Sequence, residues 1–500
     1  MNSEHLLPLF VAVPLSIAFL LPLVGLINER LAPAFAAFAT VALFVMSLNV
    51  IGAGELLYAV GGWQPPFGIC LVGDALSYLF LLMIATVSLL IIVFSFAYMK
   101  RYTAGPRFYC LFLLMITGMN GVVISGDLFN IYVFLEIASF ASYALVAFGI
   151  DREELEASFK YLVLGGIGSS FILFGIALMY SVTGTLNLAD MSRCIIAMEN
   201  KTMLGFISAL FLTGFGLKAA LVPFHAWLPD AHPSAPAPIS AMLSGLLIKT
   251  LGVYALVRIF FNVIGVGQML STAMIVLGIL SMVIGAVLAI GQWDFKRMLA
   301  YSSISQIGYI VFAFGLGTPL AYIGALFHLL NHAVFKSLLF LCSGSVEYAT
   351  GTRDLRRLGG LWKKMPITSA TCTIGALAIS GMPPLGGFFS KLIIAVAAVQ
   401  AVNHLGPIAY IYAAITVAVS FLTIVYFVKL QKMALFGETP QALESVREVP
   451  ASMWGSLVML AILCLAFGLH FPWFIERLIE PASEILVGRG DYIIKVLGSL

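Results

Sequence analysis

The chain has 500 residues, of which 61% are hydrophobic and only 10% are charged. Soluble globular proteins have roughly 45–50% apolar and about 25% charged residues, so this composition excludes a soluble enzyme. The net charge of +3 arises from 26 basic and 23 acidic residues, a balance that gives no indication of nucleic-acid binding. The composition is typical of an all-α protein that crosses a membrane many times.

Apolar stretches of about 17–25 residues follow one another along the sequence, separated by charged residues, prolines and glycines. The first stretch has Glu4 and His5 where a signal peptide would be basic, so we expect it to remain as a membrane helix. The pattern predicts fourteen transmembrane spans, near residues 5–27, 33–52, 74–99, 107–125, 127–150, 157–181, 203–221, 238–262, 269–291, 298–316, 318–343, 367–402, 408–430 and 452–471.

Two of these spans are interrupted by prolines. In span 7, Lys218 is followed by Pro223 and the run PDAHPSAPAP, and residues 381–384 (GMPP) interrupt span 12. Proline removes a backbone donor, so we expect broken helices 7 and 12 that line a polar cavity. Spans 4–8 and 9–13 form two blocks with the broken helix fourth in each, and an odd number of spans per block inverts the second block.

This regularity predicts four segments of chain. They are N-terminal helices 1–3 in residues 1–106, a first five-helix repeat in 107–264, a second, inverted five-helix repeat in 265–432, and helix 14 with a C-terminal tail in 433–500. The loops after odd-numbered spans hold 16 basic residues and the loops on the opposite side hold 5. Because basic loops stay in the cytoplasm, we expect both termini on the non-cytoplasmic side.

The six cysteines are scattered singly, without the spacing of an iron–sulfur or zinc site. We interpret them as packing residues and expect neither a metal nor another cofactor.

Five charged residues lie deep inside apolar spans. Each opposes insertion by about 2.5–3.5 kcal/mol at the bilayer centre, or roughly 12–18 kcal/mol together, which indicates a function. The alternative is a set of buried ion pairs that fix helix register, or side chains that reach out to the interface. These residues are Glu136, Lys218, Lys249, Lys336 and Lys391.

Glu136 lies nine residues after Asp127 and is the only acid placed so deep. A lysine on a neighbouring helix would keep its carboxylate ionised, and Lys218, beside the break in span 7, is the natural partner. Lys249 lies in span 8 among small residues that allow close packing. Lys391 follows the break in span 12 as Lys218 precedes the break in span 7.

His328, His332 and Lys336 are spaced four apart in span 11 and therefore form one stripe on a helix. Histidine titrates near neutral pH and can relay protons. The alternatives are a zinc or haem ligand, and for His328 simple packing. His225, His232 and His328 are candidates for proton entry. For His225 and His232, near the end of span 7, the alternative is hydrogen bonding within a loop.

At these residues the sequence resembles the antiporter-like subunits shared by respiratory complex I, Mrp sodium/proton antiporters and membrane-bound hydrogenases. The resemblance covers about residues 70–430. It is carried by five segments in the same order: SGDLFNIYVFLEIASFASYALVAFG, GFGLKAALVPFHAWLPDAHPSAPAPISAMLSGLLIKTLGVY, DFKRMLAYSSISQIGY, LFHLLNHAVFKSLLFLCSG and SGMPPLGGFFSK.

The resemblance implies a fourteen-helix fold with two inverted five-helix repeats and a hydrated charged axis in the membrane plane. The M-type subunit of complex I has glutamate at the position of Lys391, so the chain differs from that subunit. Only about 30 residues follow span 14, too few for the lateral helix of the L-type subunit. The wording of the motifs is most similar to the D-type subunit of Mrp antiporters and its hydrogenase counterpart. By motif, the charged axis consists of Glu136, Lys218, Lys249, His332, Lys336 and Lys391.

The resulting hypothesis is a proton-translocating subunit in a prokaryotic cytoplasmic membrane, with other membrane subunits as its partners. An N-type subunit of complex I is the alternative within the family. A sodium gradient and electron transfer in partner subunits would use the same residues. Two other classes stay open: a membrane redox subunit that binds haem, quinone or metal, and a scaffold that has lost transport.

Overall fold

The computed structural model describes residues 3–199 and 201–498. Within these residues, thirteen helices are long and apolar enough to cross a membrane, and two shorter apolar helices flank the helix breaks. The helices of the first half are α1 (Leu6–Ile27), α2 (Ala32–Val50), α3 (Ala75–Tyr98), α4 (Gly105–Ile124), α5 (Leu128–Val146), α6 (Arg152–Thr183), α7 (Leu188–Ala197), α8 (Thr202–Lys218), α9 (Leu228–Ser234) and α10 (Ala237–Ile264).

The second half continues the same architecture. A hairpin in the first half, β1 (Leu56–Ala59) antiparallel to β2 (Cys70–Gly73), is the only sheet in the described residues. One-turn helices at Leu361–Lys364, Val402–Leu405 and Phe471–Phe474 join longer ones. Those longer helices are α11 (Gln268–Ile290), α12 (Phe295–Gly315), α13 (Pro319–Thr350), α14 (Pro366–Ser380), α15 (Gly386–Gln400), α16 (Ile408–Leu430), α17 (Ala451–Leu469), α18 (Glu480–Val487) and α19 (Arg489–Leu497).

The helix starts follow from local sequence. Polar side chains before the first turn accept hydrogen bonds from backbone N–H groups that have no partner inside the helix. Such caps are Asp74 for α3, Asp127 for α5, Asn187 for α7, Asp294 for α12 and Thr318 for α13. A capping box at Asp151 begins α6 several residues before the predicted span 157–181, so Arg152 also belongs to the helix.

The predicted breaks in spans 7 and 12 are both present. Span 7 ends at Lys218 and resumes in α9, and span 12 is divided into α14 and α15. The proline-rich run is less irregular than its composition suggests, because Pro229 lies in the first turn of α9, where no intrahelical N–H donor is needed. Only residues 235–236 separate α9 from α10.

Helices α6 and α13 match each other in several details. Each has 32 residues and ends at a glycine in the left-handed conformation, Gly184 or Gly351. Beyond each helix an isolated bridge pairs the chain with the cap of a preceding helix, Asp127 with Asn187 and Asp294 with Asp354. These positions are the corresponding ones in the two predicted five-helix blocks.

The two ends of the bundle differ in composition. At the first end, which we call the basic end, Asp230 pairs with Lys160 at 3.0 Å and with Arg297 at 3.1 Å, and Arg353 pairs with Asp294 at 3.2 Å. At the opposite end, the termini end, the hairpin meets the C-terminal helices through Lys495 and Glu55 at 2.5 Å. Between the ends, α10, α12 and α13 are enclosed by other helices, whereas α1 and α2 expose most of their apolar surface.

Candidate functional site

Glu136 on α5 and Lys218 on α8 form an ion pair, with 3.7 Å between Oε1 and Nζ. Ser169 on α6 donates a hydrogen bond to the same carboxylate oxygen. Lys218 Nζ also donates to the hydroxyls of Ser139 at 3.0 Å and Tyr143 at 3.3 Å. Because each charge has hydroxyl partners besides its opposite charge, separating the pair leaves neither group without a hydrogen bond.

Lys218 owes its position to the end of α8. It is the last residue of the helix, and Ala220 beyond it has a φ of +57°, in the left-handed region that ends a helix. Trp227 Nε1 donates to the carbonyl oxygen of Leu217 at 3.0 Å, which satisfies one of the acceptors left at the helix end. The ammonium therefore lies near the negative end of the helix dipole and beside Glu136.

Aromatic rings close this site from the side of α9. Tyr161 is stacked on Trp227 with ring centroids 4.1 Å apart and meets Tyr143 edge to face at 4.5 Å. The Ser142 hydroxyl donates to the Tyr161 hydroxyl at 3.1 Å. Both Tyr161 and Trp227 are buried, so aromatic rings, two of which carry hydroxyl groups, cover the site on the side of α9.

Lys249 and Lys336 are linked by serines. Lys249 Nζ donates to the carbonyl oxygen of Ser244 on the same helix, and the Ser244 hydroxyl lies 2.7 Å from that of Ser303 on α12. Ser303 donates to the carbonyl oxygen of Leu299 at 2.9 Å, and Lys336 Nζ donates to the same oxygen at 2.8 Å. Hydrogen bonds thus connect the helices of the two lysines, with the connection passing covalently through Ser244, whose carbonyl oxygen accepts from Lys249 and whose hydroxyl meets Ser303.

Helix α10 places Lys249 through an unusual backbone. Residues 243–254 have wide π-helical turns, a form that is rare and frequent at functional sites. Gly245 allows α13 to approach closely, because a Cβ there would lie 2.1 Å from the Ser337 hydroxyl oxygen. The close packing predicted around Lys249 is present.

His328 and His332 lie on α13 as the predicted stripe, with ring centroids 6.3 Å apart. His328 contacts Ser390 at 2.9 Å through Nδ1 and Gln306 at 3.2 Å through Nε2. Neither ring nitrogen of His332 has a hydrogen-bond partner among the residues that the structure describes. His332 is also fully buried, so its imidazole is free to exchange hydrogen bonds with a mobile donor or acceptor.

Lys391 lies on α15, next to the break. Its Nζ donates to the carbonyl oxygen of Ile379 at 2.8 Å and to the Ser420 hydroxyl at 3.4 Å, and lies 5.2 Å from the centre of the Tyr309 ring. Ile379 belongs to the last turn of α14, so this ammonium also rests at the carboxyl end of a half-helix. His328 contacts Ser390, the residue before Lys391, so the histidine stripe extends to the break in span 12.

The two remaining histidines are placed differently. His225 is half-buried in the break after α8, whereas His232 is fully buried on α9 and stacks on Phe340 at 4.5 Å. In the described residues neither ring nitrogen of His232 has a hydrogen-bond partner. His232 therefore lies in the interior of the bundle, whereas His225 remains partly accessible.

Two buried ion pairs escaped the sequence analysis. Lys296 lies 3.3 Å from Glu347 and is almost fully buried, although its position suggested a loop residue. Arg258 holds Asp74 at 2.7 Å inside the bundle. The sequence did indicate Arg258, a charged residue nine positions after Lys249 in the same span. Its partner Asp74 is 184 residues away and could not be predicted. Within the described part of the chain, no group of three or more His, Cys, Asp or Glu side chains is placed to hold a metal ion.

The sequence matches two family models. Residues 125–435 match the transmembrane family described as NADH:quinone oxidoreductase/Mrp antiporter, and residues 58–109 match the N-terminal family of complex I chain 5. The first match covers more than half of the chain and includes every residue of the charged axis. The chain therefore belongs to the NADH:quinone oxidoreductase/Mrp antiporter family.

Relatives named in two ways span nearly the whole chain. The N-type subunit of the NADH-quinone oxidoreductase of Desulforudis audaxviator is 36% identical, over 96% of this chain and 99% of its own. The D-type subunit of the Na(+)/H(+) antiporter of Alkalihalophilus pseudofirmus is 33% identical, over 97% of this chain and 98% of its own. Both names that the sequence motifs suggested are thus represented among the relatives.

Solved structures confirm the fold class. A chain of the Mrp complex from Dietzia sp. DQ12-45-1b superposes with a TM-score of 0.91 and 29% identity, covering 100% of both chains. A chain of the membrane-bound sulfane sulfur reductase, described as an archaeal respiratory membrane complex, superposes with a TM-score of 0.89 and 34% identity, covering 98% of this chain and 99% of that one. This chain is a multi-pass membrane protein with the fold of antiporter-like subunits.

Proposed function

We propose that this chain translocates protons through the charged axis, as an antiporter-like subunit of a multisubunit membrane complex. The observation that carries the proposal is the pair of buried Lys218 and partly buried Glu136, which are 3.7 Å apart and have alternative hydroxyl partners on both sides. When such a pair separates, each charged group still has a hydrogen-bond partner in the protein. It is therefore suited to switching rather than to fixing the fold.

The switch acts through electrostatics. Two unit charges about 4 Å apart interact by roughly 4 kcal/mol at an effective dielectric of 20. When Glu136 and Lys218 separate, Lys218 loses that stabilisation as a cation and releases its proton towards Lys249. The hydroxyls of Ser244 and Ser303 and the histidine stripe that reaches Ser390 then offer groups that can both accept and donate a proton on the way towards Lys391.

We also propose the four-segment organisation, with repeats in residues 107–264 and 265–432. The matched helices α6 and α13, their glycine ends and the bridges beyond them support it. In each block a lysine lies beside the break: Lys218 is the last residue before the first break, and Lys391 follows the second and donates to Ile379 before it. The inversion of the second block follows from the odd number of spans in each.

The proposed location is a prokaryotic cytoplasmic membrane, with both termini on the non-cytoplasmic side. The excess of basic residues in one set of loops supports this orientation. His225 and His232, near the basic end, would then receive protons from the cytoplasm. Other membrane subunits are the proposed partners, because relatives bear subunit names and the similar structures are complexes.

The test is Glu136→Gln, which keeps the size and the hydrogen bond from Ser169 but removes the charge. Proton movement is measured in everted membrane vesicles after addition of sodium or of an electron donor, with complex assembly checked by copurification. We expect intact assembly and a fall in transport of about tenfold or more, since each 1.4 kcal/mol lost is tenfold in rate. Glu156→Gln, at a surface pair of α6, is the matched control, and near-normal transport by Glu136→Gln would refute the proposal.

A further inference from the structure

A cavity of about 620 Å³ lies at the termini end of the bundle. It is enclosed by the hairpin, the start of α3 and the C-terminal helices α18 and α19. Lys495 and Glu55, which are both partly exposed, pair beside its wall. A polar cavity of this size is large enough for many water molecules. The charged residues in its wall are Glu55, Asp74, Arg477, Glu484, Asp491 and Lys495.

Asp74 forms the innermost part of the wall and is only 2% exposed. Its carboxylate caps α3 by accepting from the backbone N–H of Ser77 at 2.8 Å. Arg258 on α10 donates to both carboxylate oxygens, at 2.7 and 2.8 Å. A two-point contact between guanidinium and carboxylate is among the stronger hydrogen-bonded pairs in proteins. The cavity thus ends at a buried, neutralised ion pair.

The guanidinium of Arg258 is fixed on every side. Nε donates to the Tyr254 hydroxyl at 3.2 Å, Nη1 to Asn262 at 3.2 Å and Nη2 to the Ser77 hydroxyl at 3.2 Å. The Tyr492 ring from α19 lies 5.6 Å from the guanidinium carbon. Three parts of the chain therefore hold Arg258 in one place, which differs from the loose contact between Glu136 and Lys218.

Along α10, Arg258 lies between Lys249 and the end of the helix at the termini end. It follows Lys249 by nine residues on the same helix, at most about 13.5 Å further along at 1.5 Å per residue. An arginine remains protonated in proteins, so it cannot accept a proton from Lys249 and pass it on. Asp74 already accepts hydrogen bonds from both Nη atoms of Arg258 and from the backbone of Ser77, so its carboxylate is held in this pair.

We propose that the Arg258–Asp74 pair is an electrostatic seal that prevents protons on the charged axis from leaking into the cavity at the termini end. The inference rests on the proposed function, because a seal is needed only if the axis carries protons. Asp74 lines the cavity, and Arg258, which holds it, belongs to the helix that also carries Lys249. The pair thus keeps the axis isolated from one side of the membrane while Lys218 and the other lysines exchange protons.

The experiment uses the double variant Asp74→Asn with Arg258→Gln. This variant removes both charges together and keeps hydrogen-bonding groups of similar size, since removing one charge alone would leave the other buried and unpaired. The purified complex is reconstituted into vesicles with a pH-sensitive dye inside, and the decay of an imposed pH gradient is followed without any driving reaction. We expect the pH gradient to decay on the order of tenfold faster, because removing one modest energy barrier changes a rate by about that factor.

The control is Glu55→Gln with Lys495→Gln, which neutralises a pair beside the same cavity and should keep the gradient. Decay at the wild-type rate in the Asp74→Asn, Arg258→Gln variant would overturn the seal. Unchanged decay combined with a loss of driven transport would overturn it as well, because the pair would then conduct protons. Glu136→Gln in the same vesicles separates the two proposals: normal driven transport refutes the proposed function, whatever the decay.

A second experiment does not depend on folding of the neutral pair. Leu57 lines the cavity, and Leu57→Cys allows a bulky thiol reagent to plug it from the termini end. If the cavity is sealed from the axis, driven transport continues after modification, at the rate of the modified parent chain. Loss of transport on plugging would show that protons pass through the cavity and would overturn the inference.

Discussion

Ser244 and Ser303 hold their hydroxyl oxygens 2.7 Å apart, midway between two buried lysines. Ser244 belongs to α10 with Lys249, and Ser303 belongs to α12 and shares the carbonyl oxygen of Leu299 with Lys336. Lys249 and Lys336 repel each other as cations, and neither ammonium group can accept a hydrogen bond from the other. The hydroxyl and carbonyl groups between them supply the hydrogen-bond acceptors. The link makes the serines candidates for positioning residues in proton transfer.

We expect Ser303→Ala to lower driven proton transport on the order of tenfold, the effect of about 1.4 kcal/mol in a barrier. The variant removes the hydroxyl contact to Ser244 and leaves both lysines in place. The measurement is the initial rate of dye quenching in vesicles. Ser95→Ala is the control, because Ser95 is buried on α3 and its hydroxyl donates only to its own helix, at 2.7 Å from Ile91. Equal rates for the two variants would exclude a role for the link.

Lys391→Ala should impair transport as Lys218→Ala does, because both ammonium groups rest at half-helix ends on the charged axis. Lys429→Ala is the matched control: its Nζ also binds backbone carbonyl oxygens, of Ile290 at 2.9 Å and Gln292 at 2.8 Å, but it lies at the edge of the bundle. If Lys391→Ala transports normally and Lys218→Ala does not, the conducting path ends in the first five-helix block.

The proposed orientation predicts where impermeant maleimide reacts. A cysteine at position 356, in an exposed loop of the basic end, should be labelled only from the cytoplasmic face, and a cysteine at position 477, at the termini end, only from outside. Arg356→Cys and Arg477→Cys are compared with the parent chain, whose Cys110 and Cys194 are partly exposed. The reverse pattern would overturn the assignment of both termini to the non-cytoplasmic side.

The charged axis should carry protons rather than sodium. Sodium is a hard cation that favours oxygen ligands, whereas the axis consists of amines and an imidazole with one carboxylate that already has a lysine partner. We therefore expect the chain, alone or with its neighbouring subunit, to respond to a pH gradient without sodium. Tight sodium binding that is abolished by Glu136→Gln would show that the ion has been assigned wrongly.

The sequence was sufficient for the spans, the breaks and the main charges, for physical reasons. Lipid requires long apolar helices, proline ends them, and a lysine inside such a helix is conspicuous. The contact of Lys218 with Glu136 followed because only one acid lay at that depth. The partners of these charges were not predictable: Ser169 and Tyr143 are ordinary helix residues until α5 and α6 pack together.

Two further features depend on tertiary packing alone. The wide turns of α10 leave no signature in a span of small and apolar residues, yet they decide which face carries Lys249. Arg258 was visible as a charge within a span, but Asp74 looked like an ordinary helix cap, and nothing in the sequence joins them. Pairs between distant segments become visible only when the bundle is assembled.

The enclosed helices α10, α12 and α13 have a consequence for biogenesis. They are less hydrophobic than outer helices such as α1 and α11, and α10 and α13 carry two lysines of the charged axis, Lys249 and Lys336. If a nascent chain ends after one of the lysine-carrying helices, the helices that would enclose that lysine have not yet been made. The translocon then has to insert a helix with an exposed lysine. Reporter fusions truncated at such points will therefore misreport sidedness, and topology has to be mapped on the full-length chain.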